Sequence, residues 1–314
     1  MHRVALLYNP FSGGSRQRQK DVQAVRGVLE AAQIEVSAAA TTSAEDTRER
    51  SQAAAEGGAD AIFACGGDGT IHDVLQGVVG RDTAIGIIPM GTANALAHDL
   101  GIPRSPAAAA RALLSGEARR FAVGRVSYQD FSGQQASRYF TVTAGVGLDA
   151  HLFHELSGMT KQHWGMLAYY AKAIQIWLTH EMQFFEAEFL APGGERRPET
   201  VTQLLAVRIA QFGGLLRELA PGAGLSRPEL RLVLFKTDSR LRILRYVLQG
   251  TFRSKLRNVP GIEAVSAERV QCRALAPTSG GPPIYVEADG ELLGTVPAEI
   301  SIVPHLLTLL VPRT

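Results

Sequence analysis

Between Ala59–Ala64, a short apolar run, and Ile71–Val79, with apolar residues at helical spacing, lies the stretch Cys65-Gly66-Gly67-Asp68-Gly69-Thr70. The first segment predicts a buried strand and the second a helix. Three glycines in the join expose backbone amides just ahead of a helix N-terminus, where free N–H groups and the helix dipole favour an anion. Asp68 is out of place in such a turn. A carboxylate repels phosphate unless a divalent cation lies between them or it receives a proton.

Two similar joins flank it. Asn9-Pro10-Phe11-Ser12-Gly13-Gly14 follows the apolar run Val4–Tyr8, and Pro89-Met90-Gly91-Thr92-Ala93-Asn94 follows Ala84–Ile88. Helical patterns fill the intervals at Gln17–Ala32, Ala44–Glu56, Ala93–Leu100 and Pro106–Leu114, and Ile34–Ala40 reads as extended. Strands alternating with helices predict βαβ units and a mostly parallel sheet. In such a sheet the carboxyl ends of the strands share one edge, where ligands bind. A single glycine turn is most simply an ordinary βα connection. Three on one edge, with an acid in the middle one, point to phosphate.

The rhythm changes near residue 125. Strand-like segments dominate from there: Phe121–Tyr128, Arg138–Ala144, Gln183–Leu190, Thr200–Ala210, Leu230–Phe235, Arg269–Ala274, Ile284–Ala288 and Ile300–Val311. Two helical patterns interrupt them, Gln162–Thr179 and Ser239–Thr251. The prediction is an α/β domain over 1–125 and an antiparallel, β-rich domain over 126–314, whose last strand can return to the first domain. A length of 314 residues fits two domains of about 150 each.

Composition excludes several classes. A formal charge of +2, from 32 Lys+Arg against 30 Asp+Glu, argues against a sequence-independent nucleic-acid binder. There are 27 Arg and only 5 Lys, and no Gly-Lys dipeptide, which rules out a P-loop. A phosphate site here must rely on backbone amides, Arg or a metal. Cys65 and Cys272 are too few for a disulfide framework or a four-Cys zinc site, and read as reduced thiols of a cytosolic protein. No signal peptide is expected. The apolar tract Ile300–Val311 is interrupted by Pro304 and His305, well short of the ~18 apolar residues of a membrane span. The eight histidines, His151 and His154 among them, form no zinc pattern.

The motifs taken in order resemble the diacylglycerol kinase catalytic-domain family, which includes diacylglycerol, sphingosine and ceramide kinases and small bacterial lipid kinases. The resemblance rests on Asn9-Pro10 with Ser12-Gly13, Gly66 to Thr70, Pro89 with Gly91-Thr92 and Asn94, Gly145-Val146-Gly147-Leu148-Asp149-Ala150, Leu219-Ala220-Pro221 with Leu225, and Asp289-Gly290-Glu291. The Gly-Gly-Asp-Gly-Thr element alone is shared with NAD kinases and phosphofructokinases. The resemblance implies a fold like that of NAD and diacylglycerol kinases, with ATP between two domains and its γ-phosphate passing to a hydroxyl of a diacylglycerol-like or sphingoid-like lipid. It places Asn9, Thr41 (or its neighbour Thr42), Gly66, Gly67, Asp68, Gly69, Thr70, Gly91, Thr92 and Asn94 at the nucleotide. Asp68 would act through ATP-bound Mg²⁺, Glu291 would accept the hydroxyl proton with Asp289 beside it, and Asp149 would orient the acceptor. Asp289-Gly290 has a plainer reading, since Asp-Gly between strands is a common hairpin turn. Two alternatives remain open: a nucleotide-binding regulatory protein of this fold without transfer activity, and a kinase of a soluble acceptor such as NAD.

The chain departs from the family pattern at three places. Ala95 follows Asn94 where many members carry Asp, and His72-Asp73 stands where Asn-Glu is frequent. Leu225-Ser226-Arg227-Pro228-Glu229-Leu230 replaces a segment whose paired acids and glycine form a structural Mg²⁺ site in many bacterial members. Ser226 and Arg227 offer no carboxylate, and Arg227 would repel a cation.

A lipid acceptor implies transient contact with a bilayer, at its cytoplasmic face. His163–Leu178, with Trp164, Tyr169, Tyr170 and Trp177, reads either as a core helix or as an acyl-chain groove. Lys236–Arg257 holds seven basic residues and one acid, with Leu241, Leu244, Leu248 and Phe252 near one face. It suits either an anionic membrane or plain solvation. A monomer and a homodimer are both compatible with the sequence.

Overall fold

A computed structural model describes residues 1–10, 15–147, 182–213, 218–252, 258–275 and 283–313. The chain divides into two units. The first comprises Met1–Val123, Gln211–Leu215 and Val303–Thr314, and the second Gly124–Ala210 and Leu216–Ile302.

In the first unit, β1 (Arg3–Tyr8), β2 (Glu35–Ala40), β3 (Ala61–Gly66) and β4 (Ala84–Pro89) form a parallel sheet in the order β2-β1-β3-β4. Every residue of β3 and β4 is buried, which is why both read as unbroken apolar runs rather than alternating ones. The intervening helices are α1 (Ser15–Ala31), α2 (Ala44–Glu56), α3 (Asp68–Val78), α4 (Ala95–Asp99) and α5 (Pro106–Leu114). Helix α2 starts where the sequence predicts: the Ser43 hydroxyl accepts the N–H of Asp46, with Glu45 and Asp46 in the first turn.

The second unit holds β5 (Glu117–Gln129, from Gly124), β6 (Gln135–Phe140), β7 (Thr143–Gly147), β8 (Phe185–Leu190), β9 (Arg196–Val201), β10 (Gln203–Val207), β11 (Leu230–Phe235), β12 (Ile262–Ala267), β13 (Arg269–Ala274) and β14 (Tyr285–Ala288). It also holds helix α6 (Arg240–Phe252) and the first part of β15 (Glu291–Val311). The path β12-β11-β10-β7-β14-β15 is antiparallel throughout, and β8 pairs with β9 and β13. Its core gathers Phe140, Val146, Phe185, Leu204, Leu232 and Val286, all fully buried. The far end of β15 lies in the first unit, where Leu309 pairs with Ile85 in parallel.

Two expected strands are broken for identifiable reasons. The run Arg138–Ala144 divides into β6 and β7 because the N–H groups of Thr141, Val142 and Thr143 all turn to the Asp289 carboxylate. The run Thr200–Ala210 divides at Thr202, whose hydroxyl donates to the carbonyl of Thr237 (2.7 Å), with that of Phe235 also within reach at 3.1 Å. Strand β12 has no counterpart in the sequence reading. The expected helix Gln162–Thr179 lies outside the described residues.

Candidate functional site

The parallel register brings the strand ends of the first unit to one edge. Tyr8 is level with Ala40 on one side and Cys65 on the other, and Gly66 is level with Pro89. The residues that follow, Asn9, Thr41, Gly67 onward and Met90 onward, therefore share that edge. Residues 11–14 of the first glycine turn, and Asp149, lie outside the described residues.

The second and third turns are locked to each other. The Met90 N–H donates to the Gly66 carbonyl at 2.8 Å. A Cβ on Gly91 would lie 2.5 Å from the Cα of Gly67, so only glycine permits this approach. Gly67 leads into α3 without any side-chain cap. The helix N-terminus thus lacks a side-chain cap, and an anion can take that place. Asn94 adopts a left-handed conformation (φ 49°), and its side chain closes the Gly91 turn by accepting from the Gly91 N–H (2.9 Å) and donating to its carbonyl (2.8 Å).

Asp68 is half-buried, and its Oδ1 accepts the N–H of Ala95 at 2.8 Å. It therefore caps α4 from the first residue of α3, a task invisible in the sequence. Thr70 is buried in the first turn of α3, while Gly69 and Thr92 are exposed. The Thr41 hydroxyl is buried and donates to the Tyr8 carbonyl (3.4 Å); exposed Thr42 bonds Asp46.

Sequence reasoning did not single out Arg18. It sits on α1, is buried, and donates from Nη2 to the Met90 carbonyl at 3.0 Å. Its Nε and Nη1 are buried and have no hydrogen-bond partner among the described residues. Burial pulls its pKa below the usual guanidinium value, against the opposing pull of Asp21. Guanidinium groups are rarely left half-satisfied, because each lone buried donor costs about 1–3 kcal/mol. Two orphaned donors beside two glycine turns fit a phosphate group. The nearby Cys65 thiol is buried and pushed up in pKa by desolvation, so it is no nucleophile at neutral pH.

The acids of the second unit sit on the β14–β15 hairpin. Asp289 and Gly290 form its two-residue turn, both with positive φ (48° and 83°), and Ala288 pairs with Glu291. Asp-Gly suits this turn because both central residues must be left-handed. The hairpin reading is thus correct. Asp289 does more than turn the chain: Oδ2 accepts the Thr141 N–H at 2.9 Å, and Oδ1 accepts those of Val142 (2.9 Å) and Thr143 (3.0 Å). Glu291, half-exposed, is ion-paired to Nη2 of Arg138 on β6 at 2.5 Å. Glu287 on β14 is buried and accepts the Gly290 N–H at 3.0 Å, fixing the far side of the turn. Among the described residues no three acidic, His or Cys side chains cluster as a metal centre.

Two family models match the chain. The diacylglycerol kinase catalytic domain covers residues 3–126, and the YegS C-terminal NAD kinase beta sandwich-like domain covers residues 141–311. A diacylglycerol kinase of Bacillus subtilis is 30% identical, the match covering 98% of this chain and 95% of that protein. One of Mycobacterium tuberculosis is 29% identical over 99% of this chain and 96% of its own length. A solved diacylglycerol kinase of Bacillus anthracis shares the fold, with a TM-score of 0.71 and 17% identity over 99% of this chain and 97% of that one. Yeast NADH kinase shares it more loosely, with a TM-score of 0.51 and 10% identity over 100% of this chain and 84% of that one. With its glycine turns and its Asp-Gly-Glu hairpin placed within both matched domains, the chain belongs to the diacylglycerol kinase catalytic-domain family and is a kinase, a phosphotransferase.

Proposed function

We propose that this kinase transfers the γ-phosphate of ATP to a hydroxyl of a diacylglycerol-like or sphingoid-like lipid. The observation that carries the nucleotide part is the Gly67–Gly91 contact beside the two orphaned donors of Arg18. Backbone amides of Gly67 to Thr70 and the Arg18 guanidinium would hold the phosphates, with Asn9, Thr41, Thr92 and Asn94 around them. This answers the absence of a P-loop lysine. A Mg²⁺ ion bound with the nucleotide would supply charge neutralisation, and Asp68, which lies in the glycine turn itself, is the carboxylate that would hold it. Glu291 would take the acceptor's hydroxyl proton as its oxygen bonds to the γ-phosphorus and the bond to the β–γ bridging oxygen breaks, releasing ADP. Asp289 enters as a positioning residue that holds the hairpin, and Asp149 as a residue that orients the acceptor. The likeness to an NADH kinase keeps a soluble acceptor as the second reading. Labelled γ-phosphate should pass from ATP to a lipid in mixed micelles and not to NAD. Transfer to NAD alone would favour the second reading. ATP binding with no labelled product would favour a regulatory protein.

Helix α6 is the surface on which such an enzyme would meet its substrate, at the inner face of the membrane. Ile243 and Tyr246 are buried, and the Tyr246 hydroxyl donates to the Leu219 carbonyl at 2.7 Å. The opposite side shows Leu241, at 78% exposure, with Leu244, Val247 and Leu248, and exposed Arg242 and Arg245 lie along one border of that strip. A helix that is merely solvated has no reason to expose four aliphatic side chains together. Exposed aliphatic side chains bordered by arginines suit the boundary of an anionic bilayer. Lys236 does not join this face, because it is paired with Glu199 (2.7 Å) and Glu263 (2.8 Å). Arg253, Lys255 and Arg257 lie outside the described residues. Arg242→Ala with Arg245→Ala is expected to weaken co-sedimentation with phosphatidylglycerol vesicles about 30-fold, at roughly 1 kcal/mol per basic side chain. Unchanged binding would point to another surface. No helix among the described residues is long and apolar enough to cross a membrane.

A further inference from the structure

Arg208 is the largest fully buried side chain among the described residues. It follows β10 directly, and its own N–H donates to the Val142 carbonyl at 2.9 Å. From there the side chain reaches the loop ahead of β11. Nη1 donates to the carbonyls of Arg227 (3.0 Å) and Glu229 (2.8 Å), and Nη2 to that of Leu225 (2.8 Å). Three alternate carbonyls, 225, 227 and 229, thus converge on one cation. Burial lowers the guanidinium pKa to about 10, opposed by the charge of Glu229, so it stays protonated at neutral pH.

This loop is the segment where the family resemblance implies a structural Mg²⁺ site built on paired acids. The residues present do not fit one. Ser226 and Arg227 stand at the acid positions, and Glu229 faces Arg227 at 3.8 Å and the Ser266 hydroxyl at 3.5 Å. The carbonyls are turned toward a positive charge that is already there. Converging backbone carbonyls are the oxygen ligands a hard divalent cation takes. A guanidinium satisfies the same oxygens with several N–H donors in a fixed plane. Arg231 secures the other end of the loop through its Nε and the Pro221 carbonyl, at 2.7 Å.

We propose that the Arg208 guanidinium takes the place of the structural metal, so that the loop between Ala220 and Glu229 is held by a cation belonging to the chain itself. A tethered cation cannot be stripped by a chelator or lost at low Mg²⁺. A second cation brought beside it would be repelled. The inference rests on membership of the family and not on the lipid-kinase reading, and its test does not use activity.

The test is thermal unfolding of the full chain without nucleotide, in EDTA and in millimolar MgCl₂, with metal analysis after dialysis against Mg²⁺. The expected result is one melting temperature in both buffers and no retained Mg²⁺. A rise of several degrees in Mg²⁺, or one equivalent retained, would overturn the proposal. Arg208→Lys, which offers a single ammonium for three separated carbonyls, should melt several degrees lower. An unchanged melting temperature in that variant would show that the guanidinium does not hold the loop. If that variant fails to fold, the wild-type comparison still decides.

Discussion

Glu291→Gln is expected to lower the rate of phosphoryl transfer about 10²–10⁴-fold, the range lost when a positioned general base is removed. The substitution keeps the shape of the side chain and takes away the charge that would draw the hydroxyl proton. Its structural cost is small. The ion pair with Arg138 spans side chains that are 36% and 26% exposed, and pairs of that kind contribute about 0–1 kcal/mol. Glu291 sits on the hairpin of the second unit, whereas the glycine turns and Arg18 belong to the first. The KM for ATP should therefore change little while kcat falls. Steady-state kinetics in mixed micelles, paired with thermal unfolding of the same preparations, separate the two effects. Full activity with an unchanged fold would remove Glu291 from the reaction.

Asp289→Ala should act in the opposite way, on stability first. Its carboxylate accepts three main-chain N–H groups, and hydrogen bonds to a charged group contribute about 1.5–3 kcal/mol each. Losses at one site do not add fully, so the expected cost is roughly 3–5 kcal/mol. The left-handed backbone at this position (φ 48°) adds to it, because alanine tolerates that region less well than Asp or Asn. Asp289→Asn keeps one acceptor oxygen and the tolerance for positive φ, and should recover part of the loss. Urea unfolding of both variants, followed by a probe in the second unit, checks the order wild type, Asn, Ala. A loss below about 1 kcal/mol for the Ala variant would mean that the 141–143 amides find other acceptors. Two acids only two positions apart are thus expected to fail differently, one in rate and one in folding.

Much of the first unit was legible because its signals are local. A fully buried parallel strand must be apolar throughout, and a βα turn that meets a ligand or another backbone must be small. Both constraints leave their mark within six or seven residues, as at Ala61–Gly66 and the turn after it. The Asp289-Gly290 hairpin was legible for the same reason, since its backbone angles admit few residues. The single strand expected over Arg138–Ala144 was not, because a carboxylate nearly 150 positions away claims its amides. Helical spacing located α6 and gathered its leucines on one face. Spacing cannot say whether such a face looks inward, and here the buried contacts belong to Ile243 and Tyr246.

The sequence by itself determined the order of elements in the first unit, the glycine turns at the strand ends, the exclusion of a P-loop and the Asp-Gly turn of the hairpin. These follow from backbone sterics and local burial. The tertiary structure alone decided which charged side chains go inside. Arg18 and Arg208 are two among 27 arginines with nothing in their neighbours to distinguish them. Each is defined by partners remote in sequence: the Met90 carbonyl for Arg18, and the carbonyls of Leu225, Arg227 and Glu229 for Arg208. The desolvation of a guanidinium is set by what the fold packs around it.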